Sequence, residues 1–126
     1  MNFPNDLKYT EDHEWVRVNG NIAEVGVTDH AQGELGDIVY IDIPDSEAEV
    51  SQNDTFGTIE AVKTVADMFA PVSGKIVDVN NALNNAPETV NQDPYGAGWI
   101  VKIEMSNLSE LDNLMDADAY KAKLGH

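Results

Sequence analysis

The chain has 126 residues, 42% of them hydrophobic, which fits one globular domain with a single core. Acidic residues outnumber basic ones by 23 to 7, and the net charge of −16 disfavours nucleic-acid binding because such a surface repels phosphates. The absence of cysteine excludes disulfides, thiolate metal sites and thiol nucleophiles.

The beginning of the chain and its apolar runs bear on where it works. Residues 1–6 lack the basic and apolar stretches of a secretory signal and the arginines of a transit peptide. No apolar run approaches the ~20 residues that span a bilayer. We therefore expect a cytoplasmic, bacterial-type protein that binds neither membrane nor nucleic acid.

The acidity has two compatible interpretations. A high net charge keeps a small protein soluble. It also steers a protein towards basic partner surfaces, because charge complementarity raises association rates more than affinity.

Apolar runs of strand type fill most of the chain before its C-terminal tail. In chain order, the predicted strands lie at residues 15–18, 22–27, 37–43, 55–62, 65–70, 74–79 and 99–105. Asn19-Gly20-Asn21, after the first strand, favours a tight hairpin turn because Asn and Gly accept positive φ. Residues 28–32 predict one helical turn with Thr28 as its N-cap.

The longer segments between these strands are polar or rich in turn-forming residues. Pro44 is expected to end the third strand, and residues 45–53 predict a loop. Residues 80–98, rich in Asn, Pro and Gly, predict a loop with a short helical piece.

The tail changes to a helical period. Four apolar residues recur at helical spacing: Leu108, Leu111, Leu114 and Met115. Ser106 or Ser109 is the candidate cap of this helix, and Asp116 is a candidate cap for a further turn ending at Gly125. Short strands followed by a broken helix indicate a mainly β fold, a small β-sandwich or flattened barrel with short helices chiefly at the C-terminus.

No catalytic or metal-binding constellation emerges from the spacing of residues. His13, His30 and His126 lack a second histidine at metal-ligand spacing. No serine lies in a G-x-S-x-G elbow, although residue order alone does not exclude a serine–histidine–acid triad. The glycines form neither a P-loop nor a dinucleotide fingerprint. We expect no catalytic residue and no metal, with the histidines in structural or surface roles.

Lys63, one of six lysines, lies between the strand-like runs at 55–62 and 65–70. Lysines are mostly exposed, so this pattern alone is typical of a solvated hairpin residue. Periodicity by itself does not indicate a cofactor at this position.

The segment around Lys63 does, however, resemble a known modification motif. The chain reads EAVKTVAD at residues 60–67 and APVSG at residues 70–74. This resembles the lipoylation segment of glycine cleavage H proteins, usually written E-S-V-K-A-x-x-D…A-P-x-S-G. Further family signatures are matched in the same order at residues 9–15, 25–32, 35–39, 91–99 and 114–120. The resemblance covers nearly the whole chain.

Three departures from the family pattern stand out. Ala61 replaces the usual serine, which brings the motif close to the E-A-M-K of biotin carriers, although methionine flanks the lysine there and not here. Glu47 and Asn53 occupy places where the family often has glycine. Asn53 adopts a left-handed turn at small cost and Glu47 less readily, so we expect a different loop near residue 47.

The resemblance implies a lipoyl-type carrier domain over residues 1–126, with a core at about residues 20–105 and a helical tail at 106–126. It implies lipoate in amide linkage on Lys63 and a monomeric, non-catalytic component. The implied partners are a pyridoxal-phosphate glycine decarboxylase, a tetrahydrofolate-dependent aminomethyltransferase, an FAD-dependent dihydrolipoamide dehydrogenase and a lipoate-attaching enzyme. Tethering keeps the reactive end of the arm local to whichever enzyme has docked.

An aminomethyl group carried on the arm is cationic, and a carboxylate shielded from water would hold it. Glu14 and Asp67 are the candidates, because both lie in family signatures. Trp15 and Trp99 are expected in the core.

Other classes stay open at this point. They are a biotinyl carrier, an unmodified interaction domain, and an enzyme that uses Lys63 as a base or Schiff-base nucleophile.

Overall fold

The computed structural model describes residues 2–43 and 48–125. The strands found there are β1 (Lys8–Tyr9), β2 (Glu14–Asn19), β3 (Ile22–Val27), β4 (Ile38–Asp42), β5 (Glu49–Val50), β6 (Thr55–Ala61), β7 (Val65–Phe69), β8 (Gly74–Val79) and β9 (Val101–Met105). The α-helices are α1 (Asp29–Leu35), α2 (Thr89–Gln92) and α3 (Ala117–Leu124), and 3-10 helices lie at Asn81–Asn84 and Leu108–Asn113.

The strands form two antiparallel sheets. One has the order β1-β2-β3-β9-β8-β5 and the other the order β4-β6-β7. A single apolar cluster contains side chains from both sheets, among them Val16, Val25, Ile59, Met68 and Ile103. The sheets therefore pack face to face, and the predicted mainly β sandwich is confirmed.

The β2–β3 hairpin depends on two glycines. Gly20, in the turn, has a φ of 63°, which a glycine adopts without steric cost. Gly26 pairs with Trp15 across the hairpin, and a Cβ at Gly26 would lie 2.6 Å from the indole nitrogen. The bare backbone thus makes room for the buried Trp15, which donates to the Pro94 carbonyl at 2.9 Å.

Strand β2 is buried on both faces. Val16 lies in the cluster between the sheets, whereas Trp15 lies in a second cluster on the other side of β2. The other members of this second cluster are Phe3, Leu7, Tyr9, Tyr95, Ala117 and Tyr120. The N-terminal segment and α3 are therefore packed onto the large sheet. Trp15 is in the core as predicted, while Trp99 is only partly buried against this cluster.

Most predicted elements occur, with differences in length. Helix α1 has the predicted cap, since Thr28 Oγ1 accepts from the Ala31 amide at 3.1 Å, but it continues to Leu35 instead of ending after one turn. Asn53 has the left-handed backbone expected of it, with a φ of 75°. The predicted loop at 45–53 contains the short strand β5, paired with β8. Its first residues, with Pro44 and Glu47, lie outside the described residues.

The tail differs from its prediction in the first half and agrees in the second. Asn107, not Ser106 or Ser109, caps the helix there, which is a 3-10 helix. Met115, predicted to lie on the same helix, instead exchanges backbone hydrogen bonds of 2.7 and 2.8 Å with Tyr9. Strand-like pairing has displaced the helix there. Asp116 caps α3 and Gly125 ends it, as predicted.

Candidate functional site

Lys63 lies at the tip of the β6–β7 hairpin and is exposed. The Ala61 amide donates to the Thr64 carbonyl at 2.8 Å, which closes the turn around Lys63. The Val62 amide donates to the Asp37 carbonyl at 3.0 Å, which fastens the tip to the segment before β4. An exposed lysine side chain is thus presented on a hydrogen-bonded turn.

Exposed apolar side chains surround this tip. Val62 and Val65 are 76% and 59% exposed, and Tyr40 is 52% exposed. Tyr40, Glu60 and Val65 lie side by side across the three strands of the small sheet. Lys63 therefore lacks the desolvated surroundings that Schiff-base enzymes give to their lysine.

A cleft of about 340 Å³ lies between α1, the beginning of β2 and strands β6 and β7. Its apolar lining comes from residues such as Val27, Leu35, Ile59 and Met68. Its polar lining is Asp12, His13, Glu14, His30, Glu34 and Asp67. The structure thus brings the two predicted acids, Glu14 and Asp67, to one cleft.

Glu14 is the buried acid of this cleft, with only 2% of its surface exposed. Its two carboxyl oxygens accept hydrogen bonds from Thr10 Oγ1 at 2.6 Å and from the Phe69 amide at 3.3 Å. Burial outweighs these bonds and raises the pKa of Glu14 to about 8. A carboxyl in this condition gains strongly from a cation placed beside it.

Asp67 has a different environment. It is exposed on β7, an edge strand of the small sheet, where it pairs with Thr58 of β6. It lies on the solvent side of the cleft, whereas Glu14 lies in its buried part.

The cleft and the hairpin tip are neighbours. Strands β6 and β7 carry Lys63 between them and also line the cleft. The Lys63 stem lies beside Gly36, where an added Cβ would be 3.4 Å from Lys63 Cε. Gly36 follows Leu35, which is the last residue of α1 and part of the cleft lining. The Lys63 side chain therefore lies near the part of the cleft formed by the C-terminus of α1.

His13 and His30 also line the cleft, which sequence reasoning missed. Their ring centroids are 4.7 Å apart, and His13 Nδ1 is hydrogen bonded to the Tyr120 hydroxyl at 2.8 Å. Burial, with a smaller contribution from His30, lowers the pKa of His13. The partner Tyr120 is 107 residues away, so no local pattern signals the contact. His126 lies outside the described residues.

The described residues contain neither a metal-binding cluster nor a helix suited to a membrane. No group of three or more histidine, cysteine or acidic side chains in residues 2–43 and 48–125 is arranged to bind a metal ion. In the same ranges no helix has the length and apolar character needed to cross a bilayer.

The fold and the site together define a class of protein. A two-sheet β-sandwich that presents an exposed lysine on a hairpin tip has the architecture of a lipoyl-type carrier domain.

Comparison with known proteins identifies the family. Residues 7–126 match the family described as Glycine cleavage H-protein. Glycine cleavage system H proteins of Symbiobacterium thermophilum and Bacteroides fragilis are 56% and 53% identical, covering 96% and 97% of this chain and 94% and 97% of their own. The crystal structure of a glycine cleavage system H protein from Mycobacterium marinum has a TM-score of 0.91 at 38% identity, covering 98% of this chain and 100% of its own. The chain belongs to the glycine cleavage H-protein family, whose members are carrier components and not catalytic enzymes.

Proposed function

We propose that this chain carries lipoate in amide linkage on Lys63 and shuttles the aminomethyl group of glycine between the enzymes of the glycine cleavage system. The observation that carries the proposal is the exposed Lys63 at a hairpin tip, within a sequence that resembles the lipoylation motif. Amide formation consumes the lysine amine, so the residue needs access to a modifying enzyme and no special environment. When attached, lipoate supplies a disulfide that accepts the aminomethyl group and two electrons.

The proposed partners follow from the system. They are the pyridoxal-phosphate decarboxylase, the tetrahydrofolate-dependent aminomethyltransferase, the FAD-dependent dihydrolipoamide dehydrogenase and a lipoate-attaching enzyme. We propose a monomer that works in the cytoplasm as one carrier domain over residues 1–126. The net charge of −16 supports rapid, short-lived encounters with basic partner surfaces.

The cleft is proposed to hold the carried group between enzymes. Lys63 Cε lies beside Gly36, the residue after Leu35 of the cleft lining, so an arm on Lys63 would be within reach of the cleft. The apolar lining suits the hydrocarbon part of the arm. The ammonium of the aminomethyl group would lie against Glu14, and Asp67 would add a weaker attraction from the solvent side.

Glu14 has a definite role in this arrangement. The cation lowers the pKa of Glu14 from about 8 and so converts the carboxyl to carboxylate. The carboxylate in turn keeps the amine protonated. A protonated amine has no free lone pair with which to expel the sulfur, so the pair slows spontaneous loss of the group.

The experiment that tests the assignment is an intact-mass measurement. The chain would be produced in a lipoylation-competent host as wild type, as Lys63→Arg and as Lys123→Arg, a matched change at an exposed lysine of α3. We expect a lipoyl adduct on wild type and Lys123→Arg and none on Lys63→Arg. A biotinyl adduct would support the biotin-carrier alternative, and an unmodified wild type would support an interaction domain.

A further inference from the structure

Tyr120, the fully buried tyrosine of α3, joins the two sides of the cleft. Its hydroxyl lies 2.8 Å from His13 Nδ1 and 2.8 Å from Thr28 Oγ1. His13 directly precedes Glu14 on one side, and Thr28 is the N-cap of α1, which forms the other side. One hydroxyl from a helix outside the cleft therefore connects two of the elements that line it, the beginning of β2 and α1.

The aromatic ring of Tyr120 is held independently of this hydroxyl. It stacks on Tyr9 with centroids 4.8 Å apart and an interplanar angle of 4°. It also meets the edge of Phe3 at 5.5 Å. Because these contacts fix the ring, the position of the hydroxyl is set by the packing of α3 on the sheet.

The hydrogen bonds of His13 stabilise an unfavourable backbone conformation. His13 has a φ of 69°, a left-handed conformation that is unfavourable for a residue with a side chain. The Thr28 amide donates to the His13 carbonyl at 3.0 Å, so the backbone of His13 is bonded to Thr28 directly and its side chain only through the Tyr120 hydroxyl. This conformation sets the direction in which the next residue, Glu14, enters the cleft.

The hydrogen bonds can be satisfied in either direction. Thr28 Oγ1 accepts from the Ala31 amide, and burial raises the pKa of Tyr120 to about 12, so both hydroxyls keep their protons. Either Thr28 donates to Tyr120 and Tyr120 to His13, or His13 donates to Tyr120 and Tyr120 to Thr28. In both cases Nδ1 is occupied. In the second arrangement Nε2 of a neutral His13 is an acceptor and suits a carried ammonium, whereas in the first it is a donor.

We propose that Tyr120 is a positioning residue for the cleft, whose hydroxyl holds His13 and the N-cap of α1 together so that Glu14 and His13 Nε2 face the carried aminomethyl group. The inference rests on the proposed function, because it assigns the cleft to that group. It gives the C-terminal helix a part in retention, although α3 supplies no lining residue of the cleft. The ionisable groups around His13 are Asp12, Glu14, His30, Glu34, Asp67 and Lys123.

The first test measures spontaneous loss of the carried group from lipoylated, loaded protein. In this loss the unprotonated amine expels the sulfur, so that the carbon–sulfur bond breaks, and water then adds to the carbon; thiol, formaldehyde and ammonia are formed. We expect Tyr120→Phe to lose the group about three- to tenfold faster, the effect of one hydrogen bond. The matched control is Tyr95→Phe, because the Tyr95 hydroxyl also makes two hydrogen bonds, to the Asp29 amide and the Asn2 carbonyl, but does not contact His13.

A double-mutant cycle separates positioning from general loosening. His13→Gly suits the left-handed backbone and removes the ring. If Tyr120 acts through His13, Tyr120→Phe accelerates loss in wild type and adds nothing in His13→Gly. Equal acceleration in both backgrounds, or equal acceleration by Tyr95→Phe, would overturn the inference.

A second readout uses the unmodified chain and does not depend on lipoylation. In Tyr120→Phe the ¹⁵N resonance of His13 Nδ1 and the titration midpoint of Glu14 should both move, while Tyr95→Phe leaves them in place. If neither moves, the inference fails even where a lipoyl adduct confirms the proposed function. If the adduct is missing but both move, the proposed function fails and the positioning of Glu14 by Tyr120 stands.

Discussion

The hairpin tip with Lys63 and the cleft with Glu14 are neighbouring regions built on opposite principles. The tip is exposed, and its backbone is closed by the hydrogen bond between Ala61 and Thr64. The cleft acid is 2% exposed, and its hydrogen bonds come from Thr10 on one side and Phe69, 55 residues away, on the other. A residue to which a group is attached needs only to be accessible to the modifying enzyme. A residue that holds a cation needs to be buried, and several distant parts of the chain must pack together to bury it.

The largest effect expected from this difference is the loss of carrier activity in Lys63→Arg. Arginine keeps the charge but cannot form the amide, so glycine–bicarbonate exchange with the decarboxylase should fall to background. The free energy of unfolding should change by less than about 0.5 kcal/mol, because the side chain is exposed. Lys123→Arg should keep wild-type exchange. Wild-type exchange by Lys63→Arg would refute the assignment.

The cleft should show the opposite behaviour, a stability effect that depends on pH. The pKa of Glu14 is raised from 4.5 to about 8 in the fold, so its favourable contribution is complete below pH 4.5 and is lost as pH rises through 8. Relative to Glu14→Gln, wild type should lose up to about 1.4 kcal/mol per pH unit in this window. Urea unfolding at pH 5, 6.5 and 8 would measure it. Parallel profiles for wild type and Glu14→Gln would show that Glu14 is not the titrating group.

Retention of the carried group should separate the two acids of the cleft. Glu14→Gln should release formaldehyde and ammonia about tenfold faster or more, because a hydrogen bond to a charged group contributes about 1.5–3 kcal/mol. Asp67→Asn should change the rate by about twofold or less, since an exposed pair contributes little. Both variants would be loaded in glycine and purified from the decarboxylase. Equal rates in the two variants would mean that burial does not decide retention.

A smaller effect than that of Glu14→Gln is expected of salt. The electrostatic screening length falls from about 10 Å at 0.1 M to about 3 Å at 1 M ionic strength. Association with each partner should therefore slow by several-fold at high salt. Loss of the group from the cleft should hardly change, because buried pairs are screened less. Stopped-flow association and release assays on the same sample would compare the two. A salt-independent association rate would leave solubility as the reason for the acidity.

Local patterns were sufficient for many elements. Asn19-Gly20-Asn21 predicted the β2–β3 hairpin because positive φ suits these residues, and Thr28 and Asp116 predicted caps because their side chains reach an amide three residues on. The short strand β1, the strand β5 and the 3-10 helix in place of a predicted helix were missed. Two of these depend on distant partners, since β5 pairs with β8 and the 3-10 helix ends where Met115 pairs with Tyr9.

The chain by itself determined the fold class, the family and the candidate attachment residue, since period-two strands, turn residues and the motif around Lys63 are all contiguous in sequence. Only the tertiary structure decided which acid is buried. Glu14 and Asp67 are both carboxylic acids within family signatures, and they differ in how much of the fold packs over them. It also decided that Tyr120 and Thr28, 92 residues apart, meet beside His13. Burial and electrostatic shifts depend on all neighbours in space, and those neighbours exist only once the two sheets and α3 have packed together.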